Sequence, residues 1–178
     1  MIEWRLSARR IMLVLIAITV SVPILRPAIS SALVTRGDSL LFARDARAME
    51  KYRLALAVDP ENIDAADRYV FAAFLSRRRP MLDEAVQLAG DVLARNQGDA
   101  ALRMDRALCL QLLKRYAAAQ KDFEWVGRHR SDVQALALAA ADARKRGQQF
   151  AARRLLLLAH RMDPNYLPVR LALARSRT

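Results

Sequence analysis

Chemistry-bearing residues are scarce in this chain. It has one cysteine and two histidines in 178 residues, so neither an internal disulfide nor a paired-cysteine metal site can be built. Cys109 stands near Leu108, Leu112 and Leu113, the setting of a buried, inert thiol. His129 and His160 fall near the ends of two expected helices, where they read as surface or capping residues rather than as ligands. Neither a glycine-rich phosphate loop nor a nucleophile elbow is present. The expectation is no catalytic residue, no metal, no cofactor, and a protein that is not an enzyme. Only five glycines and six prolines interrupt the chain, and nothing alternates with period two for long enough to make a sheet. Alanine, leucine and arginine dominate instead, all strong helix formers.

The expected helices run near 38–58, 63–77, 81–96, 100–114, 117–129, 133–146, 148–162 and 166–177. Asn62, Asp99, Asp132 and Asn165 are placed to cap four of them, Gly147 marks a turn, and Pro168 falls in a first turn, where proline is tolerated.

One pattern recurs along these helices. Ala48, Tyr52 and Ala55 stand at i, i+4 and i+7, a single helix face on which two small residues flank a large one, and Pro60 stops that helix. The same frame fits Ala85, Ala89, Val92 and Gln97, then Ala119, Phe123, Val126 and Ser131, then Ala152, Leu156, Ala159 and Pro164. The small residues let a neighbouring helix come close, and the large one fills the gap. The period is close to ~34 residues.

On these residues the chain resembles the tetratricopeptide repeat family from about Asp38 to its end. Pro60 and Pro164 match the family's closing proline, while Ala48, Tyr52, Ala55, Ala85, Ala119, Phe123, Ala152 and Ala159 match its packing positions. Ala73, Ala107 and Ala140 lie where the family puts a small residue in the first helix of each pair. Tyr69 takes the place of the usual early tryptophan in one repeat, and Arg103 and Leu136 occupy that place in others. Arg77-Arg78-Arg79-Pro80 reads as an insertion that lengthens one turn. The fold class expected is all-α, a short helical-hairpin solenoid of about three to four repeats over 38–178 with a C-terminal capping helix, preceded by one N-terminal transmembrane helix. An ordinary helical bundle is the alternative.

The N-terminus is a separate object. Residues 1–10 form a charged leader, and Ile11 to Leu25 is an uninterrupted apolar run closed by Arg26. The run is shorter than the ~20 residues that span a bilayer. Trp4 and Leu6 before it and residues 28–34 after it extend the apolar contact if Arg9, Arg10 and Arg26 snorkel. The expectation is a single-pass signal anchor at 11–25, extending as far as 34. Arg5, Arg9 and Arg10 would hold the N-terminus in the cytoplasm and the repeats outside it, although Arg26, Arg36 and Arg44 weigh the other way. A secretory signal cleaved near Ala28-Ile29-Ser30 is the alternative, with Arg26 and Pro27 against it.

Net charge is +12, nearly all of it arginine, the only lysines being Lys51, Lys114, Lys121 and Lys145. Three readings stand beside one another: a solvated arginine-rich surface, contact with anionic lipid or an acidic partner, and nucleic acid. The last is disfavoured by the export signal and by the lack of aromatics interleaved with the arginines. In the family, the first helix of each hairpin lines a groove for a partner peptide or helix. Carried onto this chain, the groove would show Asp67, Val70, Phe74, Arg77 and Arg78, then Met104, Asp105, Leu108 and Gln111, then Gln134, Leu138, Ala141, Arg144 and Lys145. Val70, Phe74, Met104 and Leu108 stand where the family's carboxylate-gripping adaptors need polar groups, so that mode is not supported. The resemblance implies a membrane-anchored scaffold or assembly subunit of a bacterial envelope complex, with other proteins as partners. The alternatives are a soluble exported repeat protein and a basic repeat protein that binds nucleic acid or anionic lipid.

Overall fold

The computed structural model describes residues 24–175. The leader and the apolar run as far as residue 23 lie outside the described residues, as does Arg177. Nine helices and no strand occur among the described residues: α1 (24–42), α2 (Arg47–Val58), α3 (Ile63–Ser76), α4 (Arg79–Arg95), α5 (Ala100–Leu112), α6 (Tyr116–His129), α7 (Val133–Lys145), α8 (Gln149–Met162) and α9 (Leu167–Arg175). No helix among them is long and apolar enough to cross a membrane. The chain divides into two compact units between Ala65 and Ala66.

The single helix expected over 38–58 is two helices. After Leu41 and Phe42 the chain turns through Arg44 in the left-handed region, φ 57°. The Asp45 carboxylate then accepts the Arg47 N–H at 2.9 Å and starts α2. In this first unit Tyr52 is fully buried, with its ring against Gly37, where a Cβ would run into it. Its hydroxyl donates to Asp38 at 2.8 Å. Ser30 Oγ donates to the Ala55 carbonyl at 2.9 Å and accepts from the Asn62 amide at 2.8 Å, while Asn62 Oδ1 caps α3 by accepting the Ala65 N–H at 2.9 Å. Ser30 and Val34 are thus interior residues of the first hairpin, and the extension of an anchor to residue 34 overlaps it.

In the second unit the helices pack in sequence order, α4 on α5 and onward to α9. Asp99 and Asp132 cap α5 and α7, accepting from Leu102 and Ala135 at 2.8 and 2.9 Å. Phe123, Leu136, Leu155, Leu156 and Val169 form the core with a lining of alanines. Gly127 lets α7 approach α6, since a Cβ there would sit 2.6 Å from Leu136 Cδ2. One expectation is corrected here. Arg79 and Pro80 do not lengthen a turn but form the first turn of α4, a 17-residue helix, because proline is tolerated at that position. Asn165, expected to cap the last helix, donates its own N–H to the Asp163 carboxylate at 2.8 Å.

The turn inside each hairpin repeats one backbone device. Arg44, Arg77, Lys114 and Gly147 all have positive φ, at 57°, 53°, 60° and 75°. At three of these turns the next N–H reaches back to a carbonyl five residues earlier: Asp45 to Leu40 at 2.9 Å, Arg115 to Leu110 at 2.8 Å and Gln148 to Ala143 at 2.9 Å. This is the left-handed helix stop usually given to glycine. Here three of the four are basic residues.

Candidate partner-binding surface

The first helices of the second unit, α3, α5 and α7, carry most of the expected groove. Val70 is fully buried and accepts the Cys109 thiol at 3.6 Å, so it joins α3 to α5 and lines no open surface. Phe74 is half-buried, as are Met104, Leu108 and Leu138, and these last three also pack against the core. Gln134 and Arg144 are exposed on α7. Gln111 is engaged inward, its amide donating to Asp142 at 2.8 Å. Lys145 lies 3.9 Å from the same carboxylate, with its ammonium 4.6 Å from the Tyr116 ring centre. Arg77 and Arg78 stand at the turn before α4, where Arg77 faces a cleft of about 250 Å³ with Arg79, Leu112 and Lys114.

Sequence reasoning missed the most exposed apolar residues on these helices. Phe71, Leu75 and Leu112 all reach solvent, Leu75 with 53% of its surface. Leu75 and Leu112 each stand two residues before a left-handed turn residue, Arg77 and Lys114. By the same count the equivalent residue is Lys145 in α7 and the exposed Phe42 in α1. Breaks near Arg77 and Lys114 were expected from the sequence, but only Gly147 marked the left-handed residue itself, so this register could not be counted back from sequence.

Asp67 and Asp105 lie on α3 and α5 before Leu75 and Leu112. Burial, and then the neighbouring Asp67 charge, push the Asp105 carboxyl up to about 7, with Arg68 pulling the other way. Asp142 is also raised by burial, opposed by the Gln111 hydrogen bond and by Lys145. Cys109 is buried, which pushes its thiol up to about 12 and leaves it un-ionised at neutral pH. His129 stacks on Trp125 with ring centres 4.3 Å apart, and His160 sits half-buried near the end of α8. Among the described residues no group of three or more His, Cys, Asp or Glu could hold a metal ion.

No protein-family model and no curated protein sequence matches the chain. Solved structures do. A thermophilic tetratricopeptide repeat protein from Thermus thermophilus superposes with a TM-score of 0.63 at 18% identity, covering 84% of this chain and 82% of that one. PilF of Pseudomonas aeruginosa gives 0.65 at 18% identity, covering 85% of this chain and 68% of its own. The fold is tetratricopeptide-like. Tyr69 and Leu136, expected at the early position of their repeats, are fully buried. Arg103 takes that position in α5, with its guanidinium 4.3 Å over the Trp125 ring and 3.4 Å from Asp122. Asp122 is held chiefly by Arg106, at 2.6 and 2.8 Å through both oxygens. An indole from the second helix and an arginine from the first thus stack within one hairpin.

Proposed function

We propose that this chain is a protein–protein interaction scaffold, tethered to the membrane by Ile11 to Leu25, that serves as an assembly subunit of a bacterial envelope complex and catalyses no reaction. The repeats would receive an amphipathic segment of a partner along α3, α5 and α7. The observation that carries this reading is Phe71, Leu75 and Leu112 held in water on the first helices of two successive hairpins. Apolar side chains at matching repeat positions cost stability in the free protein and contribute when a partner covers them. The tether rests on sequence alone: the run is the only segment apolar enough to remain in lipid.

The test is co-purification of the full chain and its partner from membranes. Changing Phe71, Leu75 and Leu112 together to alanine should abolish capture while the helical spectrum is unchanged, since a buried apolar anchor contributes upwards of ~2 kcal/mol. Undiminished capture would remove the strip from the account. N-terminal sequencing of the membrane-bound protein separates a retained anchor, beginning at Met1 or Ile2, from a cleaved signal.

A further inference from the structure

A second surface lies on the second helices of two successive hairpins, α6 and α8. Between α6 and α8 an open cleft of about 510 Å³ is rimmed by Arg128, Arg153, Arg154 and Arg161. Arg128 reaches Glu124 only at 3.8 Å, and among the described residues Arg153, Arg154 and Arg161 have no carboxylate within ion-pair distance. Phe150, Leu157 and Leu158 lie between them. Phe150 is 94% exposed. Phe150, Arg154, Leu157 and Arg161 recur at helical spacing, so they make one stripe up α8, ~16 Å long at 1.5 Å per residue.

This surface is costly to leave bare: like charges repel along one helix, and an aromatic ring stands in water. An occupant that relieves both costs must bring carboxylates at arginine spacing with apolar side chains between them. We infer that the cleft docks an acidic amphipathic segment of a partner protein, about three helical turns long. Guanidinium forks match carboxylates with two parallel hydrogen bonds, which fixes the register of such a segment. The chain itself carries 30 basic against 18 acidic residues, so a different protein complements the cleft better than a second copy would. The half-buried Leu158 is packed against the core, where an inserted side chain can meet it and a flat bilayer surface cannot. Because the cleft belongs to α6 and α8, it stands or falls separately from the strip on α3, α5 and α7.

The experiment uses the full chain in neutral detergent and two labelled twelve-residue helical peptides. One carries glutamates flanking a leucine and phenylalanine stripe, and the other has lysine in place of each glutamate. Fluorescence anisotropy should show the glutamate peptide binding at least about tenfold more tightly. Arg153→Glu, Arg154→Glu and Arg161→Glu together should weaken it by about tenfold or more, and Phe150→Ala by several-fold. Arg79→Glu, Arg95→Glu and Arg170→Glu together, with the same charge change elsewhere, should leave affinity within about twofold, as should Leu75→Ala. Equal binding of both peptides, indifference to the α8 changes, or equal loss from the control set would overturn the proposal. So would micelles doped with phosphatidylglycerol binding the α8 arginines while the glutamate peptide does not, since the cleft would then be a membrane face.

Discussion

The hairpin of α1 and α2 and the hairpins of α5 to α8 follow one plan with different fastenings. In the first, directed polar bonds surround a single buried ring: Tyr52 to Asp38, Ser30 to the Ala55 carbonyl, and Asn62 to Ser30. In the others, Phe123, Leu136, Leu155 and Leu156 interlock among alanines. Both bring helices together over a glycine, Gly37 under Tyr52 and Gly127 against Leu136. A hairpin with few large buried side chains keeps its register through hydrogen bonds, and one with several keeps it through shape.

The largest effect should come from the shape-fastened region. Phe123→Ala leaves a cavity in a fully buried site and should cost ~3–5 kcal/mol by denaturant titration. A cost under ~1 kcal/mol would mean that the α5–α8 core is not packed as described.

Asp105 comes next. Its folded carboxyl titrates at about 7 against an ordinary 3.8, so the folded chain keeps a proton that the unfolded chain has lost between those values. This contribution to stability is fully present below the unfolded value, is lost as pH rises to the folded one, and changes no further above it. Asp105→Asn should therefore stabilise the protein at pH 8 by ~1–2 kcal/mol, discounted for solvent around the pair, and do little at pH 3. A loss of stability at pH 8 would show that the ionised carboxylate is wanted there. Asp142, raised in the same direction, keeps some of the pH slope in the variant.

Much of this organisation was legible in the sequence, for reasons that differ by feature. The small-large-small frame identified the second helices because the alanines and the ring act on one face of one helix. Asp99 and Asp132 announced two helix starts because a carboxylate before an apolar helix has one obvious bond to make. Of the turns where arginine or lysine adopts the backbone usually left to glycine, the breaks near Arg77 and Lys114 were expected from the sequence, and the break at Arg44 was not. On α3 the sequence named Val70, which is buried, where Phe71 reaches solvent. Both are apolar, and helical spacing alone does not say which edge of the apolar face is covered. The Arg103–Trp125 contact joins different helices, and no local spacing encodes it.

Two smaller effects sharpen the comparison. In the hydrogen-bonded hairpin, Ser30→Ala removes a donor to Ala55 and an acceptor from Asn62, and should cost ~1 kcal/mol in a thermal melt. No change would show that these bonds merely replace water. At the turns, Lys114→Gly should stabilise by ~0.5 kcal/mol because glycine adopts φ 60° without steric cost. Gly147→Ala should cost about as much, and the opposite pair of signs would remove the left-handed reading of these turns.

The central claim is that a partner is held by the apolar strip on α3, α5 and α7 rather than by bulk positive charge. It is tested most directly by the partner's affinity for the full chain across a salt series, with and without the Phe71, Leu75 and Leu112 substitutions. Apolar burial is not screened, so affinity should fall only a few-fold from ~0.05 to ~0.5 M salt, and the triple variant should lose it at every salt concentration. Binding that collapses as salt rises, survives the three substitutions and extends to any polyanion would contradict the claim.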